Sequence, residues 1–150
     1  QLPLLADRVA RWKACYRALE LGLLDTPGLR LVMRPAEETF VGSSFQFLLP
    51  GWSPARIGAF LTRTLARGVE LKWFGADQPA AFTSRYQHWA YADPQSLPQT
   101  DRILAGLLDM RVPLTFTVGD CAQIARIIRS EVLAVGQGPE PEAAELPVIQ

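Results

Sequence analysis

Val9, Trp12, Tyr16, Leu19 and Leu23 recur at alternating spacings of three and four, which gathers them on one face and predicts an amphipathic helix over 7–24. Pro27-Gly28 ends that pattern. The apolar run 29–33, closed by Arg34-Pro35, predicts a short strand. Over 43–49 the chain alternates through Phe45, Gln46 and Phe47 until Pro50-Gly51 interrupts it, the period of a second strand. Ser53 is a helix N-cap and Pro54 suits a first turn. Ile57, Phe60, Leu61 and Leu65 then share a face up to the stop at Gly68, which predicts a second helix. The β-forming residues of 69–74, ended by Gly75, predict a third strand.

Residues 76–96 have no clear period and contain Pro79, Pro94 and several aromatics, whose apolar area argues for an ordered functional segment. A helix is predicted over 98–109 with Ile103, Leu104, Leu107 and Leu108 inward, then a fourth strand over 111–116 with Pro113 marking an edge or bulge. Thr117 and Asp120 stand at capping-box spacing before Cys121, Ile124, Ala125, Ile128, Val132 and Val135, the stripe of a last helix. The order α-β-β-α-β-α-β-α gives an α+β fold, a small antiparallel or mixed sheet covered by helices. One domain is expected over 1–135, its leading helix reaching across 4–26. The Gly-, Pro-, Glu- and Ala-rich segment 136–150 is too polar to bury much area and is expected to be a mobile tail.

Composition narrows the function classes. With 15 basic and 15 acidic residues the chain has no net charge to attract nucleic acid or an anionic membrane. Charged residues interrupt every apolar run before it reaches bilayer length, and the first apolar segment carries Asp7, Arg8 and Arg11, which no signal peptide tolerates. The expectation is a cytoplasmic fragment that neither crosses a membrane nor binds nucleic acid. Cys15 and Cys121 fall on apolar helical stripes, where free cysteine acts as a small hydrophobe; two distant cysteines and one histidine do not make a zinc site.

Three segments carry a resemblance: ETFVGSSFQF at 38–47, the helix-glycine-strand SPARIGAFLTRTLARGVELKWF at 53–74, and Leu97-Pro98-Gln99-Thr100 followed by Arg111-Val112-Pro113-Leu114 and a helix opening at Asp120. In this order they resemble the small C-terminal domain of the fold-type I pyridoxal-phosphate enzymes, in particular the DegT-type sugar aminotransferases, over about residues 4–135. The resemblance implies a transaminase of an amino acid or an amino or keto sugar. It also implies that pyridoxal 5'-phosphate is held mainly by a missing large domain, that the full-length protein is a homodimer, and that this chain alone is inactive. The Schiff-base lysine, the carboxylate on the pyridine nitrogen and most phosphate ligands belong to that large domain. Lys13 and Lys72, the two lysines here, do not stand in the motif that precedes the family's lysine.

A C-terminal domain of this kind supplies orientation, commonly a guanidinium that clamps a carboxylate with two parallel hydrogen bonds. Arg85, in Phe82-Thr83-Ser84-Arg85-Tyr86, is the first candidate substrate contact together with its neighbour Tyr86; the competing reading is a structural ion pair. Arg111 is the second, with Asp109 close enough in sequence to be simply its partner. His88, the sole histidine, is either an acid or base near neutral pH or a packed loop residue. Trp73, with Phe74, Trp89 and Tyr91, forms either a wall over a ring or sugar, or core. No residue is assigned to catalysis, cofactor or metal. Trp12 and Tyr16 are the expected site of an apolar patch that the large domain would cover. The alternative function is a stand-alone small-molecule or partner-binding regulatory module, since a small α+β layer serves both uses.

Overall fold

The computed structural model describes residues 2–79, 85–91 and 93–141. A 3-10 turn, Leu2–Leu4, leads into α1 (Leu5–Leu23), followed by β1 (Arg30–Leu31), β2 (Ser44–Leu48), α2 (Pro54–Ala66), β3 (Lys72–Trp73), a 3-10 turn Tyr86–His88, α3 (Pro98–Leu104), β4 (Leu107–Arg111) and α4 (Val118–Gln137). The four strands form one antiparallel sheet in the order β1-β2-β4-β3, so the α+β class and the element order agree with the sequence pattern.

Register explains which residues are inside. Phe45 pairs with Met110, and Phe47 with Leu108, which in turn pairs with Trp73 across the next ladder; all five are buried on one face. The intervening positions Ser44, Gln46, Asp109 and Lys72 belong to the opposite face, where the Ser44 hydroxyl donates to Asp109 Oδ1 at 2.8 Å. Helices α1, α2 and α4 cover the apolar face with Cys15, Tyr16, Leu19, Leu23, Ile57, Phe60, Leu61, Cys121, Ala125, Ile128 and Val132. Helix α2 starts as its sequence requires: the Ser53 hydroxyl accepts the Arg56 N–H at 3.1 Å and Pro54 occupies the first turn. At the start of α4, the Thr117 hydroxyl accepts from the Asp120 N–H while the Asp120 carboxylate accepts from the Thr117 N–H, a reciprocal capping box.

Three expectations need correction. The helix expected over 98–109 stops at Leu104, and the strand expected over 111–116 lies earlier, at Leu107–Arg111. Ile103, Leu104, Leu107 and Leu108 fit a helical stripe as readily as a strand, and the sheet decides: Leu108 and Met110 point into the core with period two, Ile103 is exposed and α3 buries nothing. Gly106 makes the early turn, because a side chain there would lie 2.8 Å from the Leu49 carbonyl oxygen. The displaced segment 112–116 is a loop whose carbonyls are taken by α1, with Arg11 donating to Leu114, and the Trp12 indole donating to Val112, each at 2.7 Å. The third correction follows from these bonds: Tyr16 is buried and Trp12 half-buried, so neither forms an outer apolar patch. The large apolar residues exposed on α1 and its flanks include Leu4, Leu5, Leu21 and Leu24.

Strands β1 and β3 are shorter than the runs 29–33 and 69–74 that announce them, although Val69 and Leu71 are still buried beside β3. Helix α4 continues to Gln137, and the Gly138 carbonyl and Glu140 carboxylate are held by Arg56 at 3.2 and 3.0 Å. The rest of the expected tail, from 142, lies outside the described residues, as do 80–84, which include the first three residues of the Phe82–Tyr86 motif.

Candidate functional site

The turn 50–52, with Gly51 at φ 75°, delivers Trp52 to the N-terminal end of α2, where its ring meets Phe60 edge-on at 5.9 Å. Trp73, at the end of β3, donates its indole N–H to the Ala105 carbonyl at 2.9 Å, which ties the edge strand to the turn after α3. Gly75 lets the chain pass close to that indole, since a side chain there would approach the ring nitrogen to 2.7 Å and Ala105 Cα to 2.9 Å. Between these elements lies a cleft of about 450 Å³, lined by Trp52, Pro54, Trp73, Asp77, Arg85 and Asp101 among others. Its size falls within the range of small-molecule sites.

Arg85 engages Asp77 Oδ1 through Nη1 at 3.1 Å. Because the Asp77 side chain is 93% exposed, this pair adds little to stability and leaves the guanidinium able to exchange partners. Tyr86 is buried beneath the cleft; its hydroxyl donates to Asp101 Oδ2 and accepts the Leu97 N–H, both at 3.0 Å. Gln87 donates to the other oxygen of Asp101 at 2.9 Å, so one carboxylate organises the segment around Arg85. His88 accepts the Arg85 backbone N–H at Nδ1, at 3.2 Å. That bond ties the ring to the main chain at the start of the turn.

Of the five residues singled out in the sequence, Trp73 and Arg85 line the cleft and Tyr86 and His88 buttress it. Arg111 is exposed at the far end of β4, opposite Ser44, and is not among the lining residues. Trp89 and Tyr91 stack on one another at 5.9 Å, both exposed, and do not belong to the core. Trp52, Asp77 and Asp101 were not singled out. Trp52 had a usable signal in its position just before the Ser53 cap, whereas Asp77 and Asp101 are ordinary polar residues in sequence and come to line one cleft only in the folded chain.

No protein-family model and no curated protein matches the sequence. Solved structures do. The aminotransferase TlmJ from Streptoalloteichus hindustanus superposes with a TM-score of 0.73 and 20% identity, over 91% of this chain and 35% of its own. For 3-amino-5-hydroxybenzoic acid synthase the values are 0.66 and 18%, over 89% and 36%. For DesI, solved in the presence of its TDP-sugar product, they are 0.64 and 16%, over 91% and 33%. The fold is that of the DegT-type aminotransferases. The chain spans about a third of the length of the structures it matches.

Proposed function

We propose that this chain is the C-terminal small domain of a pyridoxal-phosphate-dependent aminotransferase that transaminates an amino acid or an amino or keto sugar. The observation that supports this reading most is the likeness of fold over nine-tenths of the chain to the aminotransferase TlmJ, which is about three times as long. The cofactor needs a lysine for its imine and groups that hold its ring and phosphate. The cleft does not fit it: Lys13 is exposed on α1, Lys72 sits within the sheet, and neither lines the cleft. Cofactor and imine lysine therefore belong to the large domain in this reading, and no step of the reaction runs through this chain.

Its part is orientation. Arg85 clamps an anionic group of the substrate by giving up Asp77, Trp73 with Trp52 forms the apolar wall, and Tyr86 and His88 act as positioning residues by fixing Asp101 and the Arg85 backbone. Arg111, at the end of β4 away from the cleft, takes no part in this clamp. The full-length enzyme is a homodimer in the cytoplasm. Among the described residues, no helix is long and apolar enough to cross a membrane.

The test compares the full-length protein with the 150-residue segment, each incubated with pyridoxal phosphate. The full-length protein should gain the visible absorbance of bound cofactor and transaminate, and the segment should do neither. A cofactor band from the segment alone would overturn the proposal.

A further inference from the structure

Beyond Gln137 the chain leaves α4 and is fastened by side chains to the start of α2. Arg56 reaches it twice through Nη2, donating to the Gly138 carbonyl at 3.2 Å and pairing with Glu140 Oε2 at 3.0 Å. The Ser53 hydroxyl, which accepts the Arg56 N–H, donates to the other carboxylate oxygen, Glu140 Oε1. The carboxylate thus sits at the N-terminal end of a helix of 13 residues, where unpaired N–H groups and the helix dipole favour negative charge. Just ahead of this segment, Gly136 lies against Trp52: a side-chain carbon there would stand 3.4 Å from the indole Cζ2. The two anchors bracket one wall of the cleft. Ser53 directly follows Trp52, and Pro54 and Ala55, which line the cleft with it, lie between Ser53 and Arg56.

We infer that Gly138–Glu140 is an electrostatic latch on the cleft. Fastened, it holds Trp52, Pro54 and Ala55 in place as one wall; released, it frees that wall to move, so an ionic contact at the end of α4 governs the shape of the opening. The latch is built to release. Glu140 keeps 55% of its side chain exposed and Arg56 21%, which leaves their pair open to screening by salt. The helix beneath it survives release, because the Ser53 carbonyl accepts the Ile57 N–H at 3.0 Å, a bond that involves neither Glu140 nor the Arg56 side chain. Loss of the latch therefore loosens the first turn of α2 and the Trp52 ring without unfolding the domain. It acts on the cleft whatever occupies it.

The experiment labels the full-length protein with 5-fluorotryptophan and follows the fluorine resonance of Trp52, identified by its loss in Trp52→Phe. Glu140→Gln keeps the size of the side chain and removes its charge. The Trp52 resonance should shift in that variant, while that of Trp12, whose indole is held by the Val112 carbonyl, stays in place. Amide exchange in a peptide spanning 53–58 should run several-fold faster, and Glu140→Asp, which retains the charge, should lie nearer to wild type. Raising salt from about 50 to about 500 mM should carry the wild-type Trp52 resonance toward the position it has in Glu140→Gln and leave the variant nearly unmoved, an arm that needs no substitution in the latch. A Trp52 resonance indifferent to both charge removal and salt would overturn the inference. So would faster exchange in α2 with the Trp52 resonance unmoved, or salt shifting the variant as far as wild type.

Discussion

Glu131 is one of four polar or charged residues buried in the described structure, and its replacement tests how α2 is held to α4. Its side chain is 6% exposed, and its carboxylate takes Arg63 Nε at 2.5 Å on one oxygen and Arg67 Nη1 at 2.7 Å on the other. Burial pushes the carboxyl up, but the hydrogen bonds from Arg67 and Arg63 and their charges outweigh it, leaving Glu131 below the ordinary glutamate range. Glu131→Gln keeps the volume and can accept from one arginine, while its amide N–H₂ confronts the other. A hydrogen bond to a charged group is worth roughly 1.5–3 kcal/mol. The arginines are 54% and 42% exposed, so solvent screening discounts that figure. The expected loss is about 1–2 kcal/mol at neutral pH, a fall of roughly 2–8 °C in thermal midpoint for a domain of this size. Because the folded pKa is depressed, this stability is fully present above the unfolded glutamate value near 4.3 and fades as pH falls through the lower folded value. Urea titrations of both proteins between pH 7 and pH 3 measure it. Wild type and Glu131→Gln should differ at pH 7 and converge in acid; a gap that stays constant with pH would refute the assignment of Glu131 as an ionised clasp.

Gly22→Ala should destabilise the chain by about 1–3 kcal/mol despite its better helix propensity, because the new methyl collides with Ala125; adding Ala125→Gly should recover most of the loss in a denaturant midpoint. Removing the α2 cap with Ser53→Ala should cost about 1 kcal/mol, read by the same titration. Under the proposed function, Arg85→Gln in the full-length enzyme should raise KM for the anionic substrate by ten-fold or more with a smaller change in kcat; an unchanged KM would return Arg85 to its structural role beside Asp77.

What the sequence could disclose depended on whether a pattern had one physical solution. The α2 cap at Ser53-Pro54 and the Thr117–Asp120 box were legible because each rests on hydrogen bonds within one turn. The boundary of α3 and β4 was not, since Ile103, Leu104, Leu107 and Leu108 satisfy helical and strand spacing alike until β2 supplies Phe45 and Phe47 as partners. Tyr16 and Trp12 were misjudged for a similar reason. An amphipathic face says that a helix is covered but not by what, and here the Val112 carbonyl and the sheet do the covering. The cleft was half legible: Trp73 and Arg85 stand out as residue types, while Asp77 and Asp101 gain meaning only from partners in space.

Strand β3 has only two ladder residues, and its place at the sheet margin is reinforced by the Phe74 N–H on the Leu107 carbonyl at 3.0 Å and by the Trp73 indole on the Ala105 carbonyl. One rim of the cleft is thus held by a short backbone seam with a side-chain hook beside it. The two carbonyls that fasten it, of Ala105 and Leu107, flank Gly106, so the turn after α3 and that rim are joined at two neighbouring points.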